Sequence, residues 1–514
     1  MARLNKEDLA QMNRDYFRSL PKERLVEVAD NLYQLAVEQW EKINSNSSNS
    51  SQPPSTDNPF QKPNDSSKST SEPSKDSLDS TKSQKNKIQQ QQVFESTSKR
   101  KPGRQRGSKG FGRSKPLSIS SIIPHYPSQC SACNQALLKT EAKPYMGHHV
   151  LELKTTESRL EIVCQLHHYY QGTCSCGHQS KSQPGVGIVS QVEGRSRDLK
   201  LTEYVLVGAS FASFIANLGV RYRLSRVKIR EFLSDWLEVE LSVGTIDRCI
   251  REAGIACQPA VEELLAQLQQ ASILHIDETP WYESGKLYWL WVAIESKTAV
   301  FRIAPRTKQE FKHLVTEAFV GWLITDGYGA YRHQKCRQRC LAHLIRKAIG
   351  IAESVNSRVT RIGTLILEDL RDFIRAISLE KTQKELETII RSLQGVCHLA
   401  KKVKHQKLKA LAKEILNDWD AVVAAVNNPD LPLTNNEAER ALRHAVIARR
   451  ISYGTRTTEG SIAYSSLLSV IETCRLREVN PGKYLSSVIE LARKGLSPPV
   501  IKNNDLAFNC CPTT

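Results

Sequence analysis

The chain has no run of about 18 apolar residues, so it offers no helix suited to crossing a bilayer. Its opening residues, MARLNKEDLAQ, lack the apolar core of a secretory signal, which argues against export. Aromatic residues are only 7% of the total, few for a protein that stacks sugars along a groove. Negative charge is also short: 54 Asp and Glu against 72 Lys and Arg leave a formal charge of +18. Such an excess suits a polyanion, most commonly nucleic acid, with an anionic membrane as the rival. Cysteine is not scarce. Thirteen of them in a chain with no export signal point to thiols and metal rather than to a disulfide framework.

A length of 514 residues suggests about three domains. Residues 1–43 read as helical, because Leu25, Val28, Leu32 and Leu35 recur at three/four spacing. A short helical hairpin and a coiled-coil oligomerisation element both fit this pattern. From 44 to 97 the chain turns to Ser, Asn, Gln, Lys, Asp and Pro, which cannot bury enough apolar surface to order a fold. This linker, 44–117, ends in an acid-free stretch, SKRKPGRQRGSKGFGRSKP. Lys99, Arg100, Lys101, Arg104, Arg106, Lys109, Arg113 and Lys115 form a flexible basic arm suited to DNA phosphates and a minor groove. A merely solvated basic linker is the plainer reading.

Residues 118–180 carry two cysteine pairs, Cys130 with Cys133 and Cys174 with Cys176, separated by alternating strand-like segments. Four thiolates around Zn2+ would stabilise a fold too small to hold itself, so the expectation is a zinc ribbon. The second pair is spaced C-x-C, one residue short, so His178 is a possible substitute for one sulfur. Strands with spectator cysteines are the alternative. Residues 181–262 read as helical, with a break before Ser242, which is placed to cap a second helix. A helix-turn-helix there would present Thr245, Arg248 and Arg251 to DNA; simple packing helices fit as well.

The pattern changes at 272. SILHID reads as a buried strand that ends in Asp277, and GWLITDGYGAY as another that ends in Asp326. Their separation of 49 positions leaves room for two more strands and a helix, enough for a mixed sheet to set both aspartates side by side. Amphipathic helices follow, read as an all-helical insertion over about 335–432. It ends at LPLTNNEAERALRHAVIARR, where Asn435 or Asn436 would cap a helix carrying Glu437 and Glu439. Asn436 with Glu439 also fits a reciprocal N-terminal cap, a purely structural device. Two aspartates and a glutamate that meet at a sheet edge repel one another unless a cation joins them. Oxygen-only ligands suit Mg2+ or Mn2+, and two such ions support phosphodiester chemistry.

HIDETPW, TDGYGAY and NNEAERALR resemble the three acidic motifs of the insertion sequence 66 family of transposases. The resemblance continues in RCLAHLIRK, in Arg449 and Arg450, and in NPGKYL, and it reaches upstream to the cysteine pairs, the basic arm and the N-terminal helices. It implies a ribonuclease H-like α/β core over 263–490 with the helical insertion, preceded by the zinc ribbon and helical DNA-binding regions, and a tail at 491–514. It also implies DDE-type strand transfer with Asp277, Asp326 and Glu439 as the acids and Glu437 at a variable position. Cys340 and His343 match a Cys-x-x-His signature that would brace the site or form a buried structural pair. Arg440 and Arg443 would neutralise phosphates, unless they are solvated helix charges. The implied partners are the element's terminal inverted repeats and target DNA, a second copy of the chain and accessory element-encoded proteins, in a cytoplasmic, nucleoid-associated setting without a membrane. A zinc-containing DNA-binding protein without catalysis is the main alternative. A glycoside hydrolase is disfavoured by the charge and the cysteine pairs.

Overall fold

The computed structural model describes residues 14–43, 49–50, 117–155, 159–187 and 201–502. The basic arm, Lys99 to Lys115, lies outside the described residues. Two helices, α1 (Arg14–Ser19) and α2 (Lys22–Ile43), lead the chain. Near the end of α2, buried Glu41 pairs with Lys407 at 2.9 Å and accepts a hydrogen bond from Ser354 Oγ at 3.0 Å. The helix is thereby docked on residues over 300 positions downstream.

A small sheet follows. Strands β1 (Ser121–His125), β2 (Lys143–Thr155), β3 (Leu160–Thr173) and β4 (Gln179–Lys181) are arranged around β3, which pairs antiparallel with β2 and β4 and parallel with β1. β2 and β3 bury Val150, Leu151, Val163, Cys164 and Tyr169; the adjacent pairs face opposite ways, so both faces of the sheet are covered there.

Four helices come next: α3 (Ala209–Val220), α4 (Arg226–Leu237), α5 (Val243–Ala256) and α6 (Gln258–Leu268). Nine of the twelve residues of α3 are buried, so it is a central helix and its sequence is apolar nearly all round. Ser242 starts α5 by accepting the Thr245 N–H at 3.0 Å, satisfying one of the donors a helix start leaves free.

The main sheet has the order β7-β6-β5-β8-β9. Strands β5 (Ile273–Glu283), β6 (Lys286–Ile294) and β7 (Ala299–Ala304) form an antiparallel meander; β8 (Trp322–Thr325) and β9 (Arg337–Arg339) add in parallel beyond β5. The β5–β6 turn places Ser284 and Gly285 at φ of 50° and 80°, the two left-handed positions that match the twist of a tight hairpin. Helix α7 (Lys308–Leu314) connects β7 towards β8. On the outer edge, β7 donates from Ala299 N to Thr473 Oγ1 at 3.1 Å and from Phe301 N to Ser469 Oγ at 2.8 Å. Both acceptors lie on α14 (Thr458–Leu476), which covers an edge that would otherwise invite pairing with another chain.

Two expectations are corrected. Asp277 does not end its strand: β5 runs on to Glu283, paired with β6 throughout. It is the parallel pairing with β8 that stops, at His275, two residues before Asp277. The interval from about 335 also does not open as helix. It opens with β9, whose Arg337, Gln338 and Arg339 are all buried. Arg337 is held by Asp418 (Nη1–Oδ2 3.1 Å), Arg339 by Glu414 and Asp418, and Gln338 Oε1 accepts the Ala425 N–H at 3.1 Å. Without those carboxylates two buried guanidinium groups would be prohibitively costly.

Beyond β9 the chain is helical: α8 (Leu341–Ala352), α9 (Ser357–Ser378), α10 (Gln383–Ala400), α11 (Gln406–Asn417), α12 (Trp419–Val422), α13 (Asn436–Ser452) and, after α14, α15 (Pro481–Arg493). The helices from α8 to α12 bury their own core, including Leu344, Ile366, Leu370, Phe373, Leu393, Cys397, Leu408 and Ile415. Starts are marked by Asn356, which accepts the N–H groups of Arg358 and Val359, and by Thr382 with Glu385 in a reciprocal cap. No helix among the described residues is long and apolar enough to cross a membrane.

Candidate active site and metal centres

Asp277 lies two residues past the last β5–β8 pair, and Asp326 directly follows β8. Two neighbouring parallel strands therefore deliver an aspartate each at about the same level. Asp277 Oδ1 accepts the Glu278 N–H and Asp326 Oδ1 the Tyr328 N–H, both at 2.9 Å. The Asp277 carboxyl is held well above the usual carboxylate range, first by burial, then by the charges of Asp326 and Glu278, with Glu439 adding to them. Asp326 and Glu439 thus both act on the Asp277 carboxyl, a repulsion that a divalent cation would relieve, although among the described residues the ligand atoms of these three acids do not all lie within 4.8 Å of one another.

Glu439 sits in the first turn of α13. Its Oε1 accepts from Arg346 Nη2 at 3.0 Å and lies 3.8 Å from His343 Nδ1. Glu437 instead faces solvent and pairs with Arg440 at 3.2 Å. The helix start is not the reciprocal cap that the Asn436–Glu439 spacing also allows. Asn435 holds the cap position without a side-chain cap bond. Its amide turns into the interior, where Nδ2 donates to Ile276 O at 2.7 Å and Oδ1 meets His275 Nδ1 at 3.1 Å. Farther along α13, Arg449 Nη1 donates to Thr279 Oγ1 at 3.0 Å, a second tie to β5.

Glu278 was legible only as a second acid beside Asp277. In the fold it is buried and engaged: Arg306 Nε donates to Oε1 at 2.8 Å and the Tyr331 hydroxyl donates to Oε2. Burial, and then Asp326, raise its carboxyl to about 7 against the opposing pull of Tyr331 and Arg306. Arg306 is itself sandwiched, 4.3 Å from the Trp289 ring centre and 4.0 Å from that of Tyr328. Arg306 has no sequence signal beyond its residue type, and Tyr331 is marked only as the last residue of TDGYGAY. They are recognisable only once the β6–β7 edge and the loop after β8 are brought together.

The cysteine pairs do converge. Cys130 Sγ lies 3.7 Å from Cys176 Sγ, and Cys133 Sγ lies 3.5 Å from Cys174 Sγ. All four sulfurs lie within 4.8 Å of one another. The short C-x-C spacing works because Gly177, at φ of 83°, closes the turn that returns its N–H to Cys174 O at 2.9 Å. His178 is not in the set; its Nε2 lies 2.8 Å from Ser131 Oγ. Backbone N–H groups of Cys133 and Ala132 pull the Cys130 thiol down to about 6. At Cys133 the Gln135 N–H pulls the same way, but the neighbouring sulfurs prevail and raise it to about 12. Four thiolates cannot coexist there without a cation, and the donor set is that of a structural zinc.

The other singled-out residues divide between surface and interior. Arg443 is exposed. Arg251 pairs with Asp247 at 2.9 Å on α5, the helix that also carries Thr245 and Arg248. Cys340 is fully buried at the N-cap of α8, with His343 in its first turn.

A family model described as Transposase IS66 family matches residues 205–463, just over half of the chain. The match contains Asp277, Asp326, Cys340, His343 and Glu439, and excludes the four ribbon cysteines. Among curated proteins, the chain is similar to uncharacterized protein y4qI of Sinorhizobium fredii (strain NBRC 101917 / NGR234), with 22% identity over 332 residues, 57% of this chain and 60% of the relative. Uncharacterized protein y4jD of the same organism is 25% identical over 237 residues, 42% of this chain and 44% of the relative. Uncharacterized protein y4jO, also from that organism, is 28% identical over 94 residues, 18% and 29% of the two chains. The chain thus spans less than two thirds of the length of these relatives. With the acid motifs, their spatial order and the family match in agreement, the chain belongs to the IS66 family of transposases.

Proposed function

We propose that the protein is a DNA transposase that cuts the ends of an insertion sequence and joins them to target DNA in a divalent-metal-dependent reaction. The observation that carries this reading is the register of β5 and β8, which sets Asp277 and Asp326 level on neighbouring parallel strands, and the Asp277 carboxyl is pushed up there by burial and then by Asp326 and Glu278. The sheet supports a ribonuclease H-like core: an antiparallel meander is extended past β5 by two parallel strands, and the helical insertion lies between the second and third acids.

Asp277, Asp326 and Glu439 would hold Mg2+ or Mn2+, since all three offer oxygen. Two such ions supply an activated water or 3′-hydroxyl and stabilise the leaving oxygen of an in-line displacement. The protein residues fix the positions. The Glu278 and Tyr328 N–H groups orient one oxygen of each aspartate, and Arg346 orients Glu439. Glu278, Arg306 and the two tyrosines brace the loop after β8 against β5.

The ribbon would hold Zn2+ through Cys130, Cys133, Cys174 and Cys176 and help read the terminal inverted repeats. Arg248, Arg251, Arg440, Arg443 and the basic arm from Lys99 to Arg113 would meet phosphates, with Arg251 and Arg440 exchanging their present carboxylate partners for DNA. Pairing two element ends calls for a homo-oligomer, with accessory element-encoded proteins as further partners, in the cytoplasm at the nucleoid. The domain reading carries over from the sequence: N-terminal helices, basic linker, zinc ribbon, helix-turn-helix-like region, catalytic core and tail.

The test is Asp277→Asn on a duplex carrying the element's terminal repeat. Binding should persist while Mg2+-dependent end cleavage is lost. Equal cleavage by the variant overturns the assignment. Specific binding by the wild-type chain without cleavage in Mg2+ or Mn2+ points to a zinc-containing DNA-binding protein instead.

A further inference from the structure

A second group of ligand-type atoms lies beside the acids. Cys340 Sγ, an imidazole nitrogen of His343 and a Glu439 carboxylate oxygen lie within 4.8 Å of one another. Cys340 and His343 are three residues apart at the start of α8, a spacing that brings both onto one face. Glu439 comes from the first turn of α13. His343 Nδ1 is buried and has no hydrogen-bond partner, with Glu439 Oε1 at 3.8 Å. We propose that Cys340 Sγ, His343 Nδ1 and Glu439 Oε1 form a transition-metal site of the zinc class beside the aspartates, with its fourth position open to water or a phosphate oxygen.

The donor set selects the ion. Sulfur, imidazole nitrogen and one carboxylate oxygen suit zinc and its late first-row neighbours, whereas Mg2+ takes oxygen. Three protein ligands leave one position open, the pattern of catalytic rather than structural zinc. The geometry suits ligands. The Asn435 N–H lies 3.2 Å from the Cys340 sulfur, a donor that stabilises thiolate over thiol. Arg346, Arg339 and Lys347 act on His343 from nearby, and its buried Nδ1 is without a hydrogen-bond partner. Those cations also oppose a divalent ion; a thiolate and a carboxylate together cancel its charge. The contacts of Glu439 with Arg346 and His343 both engage Oε1, so Oε2 remains for the ion of the aspartates.

The test is the metal content of the full-length chain, stripped with a chelator under reducing conditions and reloaded with Zn2+ in excess Mg2+. Wild type should hold about two zinc ions, one in the ribbon and one here. Cys340→Ala and His343→Gln should each bring this to about one. Loaded with Co2+, they should keep the intense sulfur-to-metal band of the ribbon and lose the weaker mixed-donor bands. Glu439→Gln guards against misfolding, because a near-isosteric amide leaves the helix start intact; it should weaken zinc here by about tenfold or more. Wild-type zinc content and affinity in all three variants refute the site, as does a wild-type chain that holds ribbon zinc alone. The inference rests on donor geometry and not on the strand-transfer reading. Loss of cleavage in Asp277→Asn does not touch it, and unchanged zinc in these variants does not touch that reading.

Discussion

Asn435 joins the strand of the first acid to the helix of the third. It is fully buried, and its amide holds Ile276 O at 2.7 Å and His275 Nδ1 at 3.1 Å, with Asp277 next in the chain. Its carbonyl accepts the Glu439 N–H at 3.1 Å, and its own N–H reaches Cys340 Sγ at 3.2 Å. Asn435 Oδ1 can only accept, so His275 Nδ1–H is the donor in this pair. Asn435→Ala removes both amide bonds and strands a carbonyl and an imidazole N–H in the interior. At about 1–3 kcal/mol for each orphaned buried group, the loss is about 2–6 kcal/mol, a large part of an ordinary domain's stability. Urea unfolding followed by tryptophan fluorescence reads that loss. Metal-dependent cleavage, compared at a temperature where both proteins are fully folded, reads the rest. It should fall about tenfold or more, because nothing then fixes the distance from Asp277 to Glu439. Asn435→Asp keeps the acceptor for His275 but sets an oxygen against Ile276 O, so it should recover only part of either quantity. If Asn435→Ala stays within about 0.5 kcal/mol of wild type and cleaves equally well per folded molecule, the amide is not the link described here.

Other expectations are as direct. Glu278 has a folded value of about 7 against an ordinary 4.5, so the folded chain holds this proton more tightly than the unfolded one. Metal-free stability should therefore fall by about 3 kcal/mol as pH rises from 4.5 to 7, and Glu278→Gln should flatten that slope in urea titrations; an unchanged slope refutes the assignment. Asp418→Ala leaves Arg337 buried without its carboxylate and should cost about 3–5 kcal/mol in thermal or denaturant unfolding; a loss under 1 kcal/mol would show that the pair is not stabilised as described. Cys130→Ser, or a strong zinc chelator, should open residues 117–187 to limited proteolysis while the main sheet stays protected, and indifference to both would remove the case for a metal-held ribbon.

The neighbouring strand positions of Asp277 and Asp326 were readable because each follows an apolar run, and such runs make buried strands whatever surrounds them. The cysteine pairs were readable for a similar reason, since close spacing on turns constrains sulfur positions locally. What sequence did not show was polar structure satisfied at long range. β9 contains Arg337, Gln338 and Arg339 and looks like a surface loop until Asp418 and Glu414 arrive from about 80 residues away. Asn435 looked like a helix cap, but its amide found better partners on β5. Arg306 carries no motif, and its place between Trp289 and Tyr328 depends on strand pairing that no local pattern specifies. The strand containing Asp277 was cut short because TPWYE carries Thr, Pro and Glu, though Trp281 within it is buried.

The buried guanidinium groups of β9 bear on any attempt to pare this protein down. Excising residues 340–432, or grafting them elsewhere, would leave one fragment with two interior arginines and the other with two unmatched carboxylates. Neither piece should stand alone. Native-state hydrogen exchange should accordingly show Ile324 and Leu411 opening together, in a single cooperative event, and a trimmed chain lacking residues 340–432 should not fold.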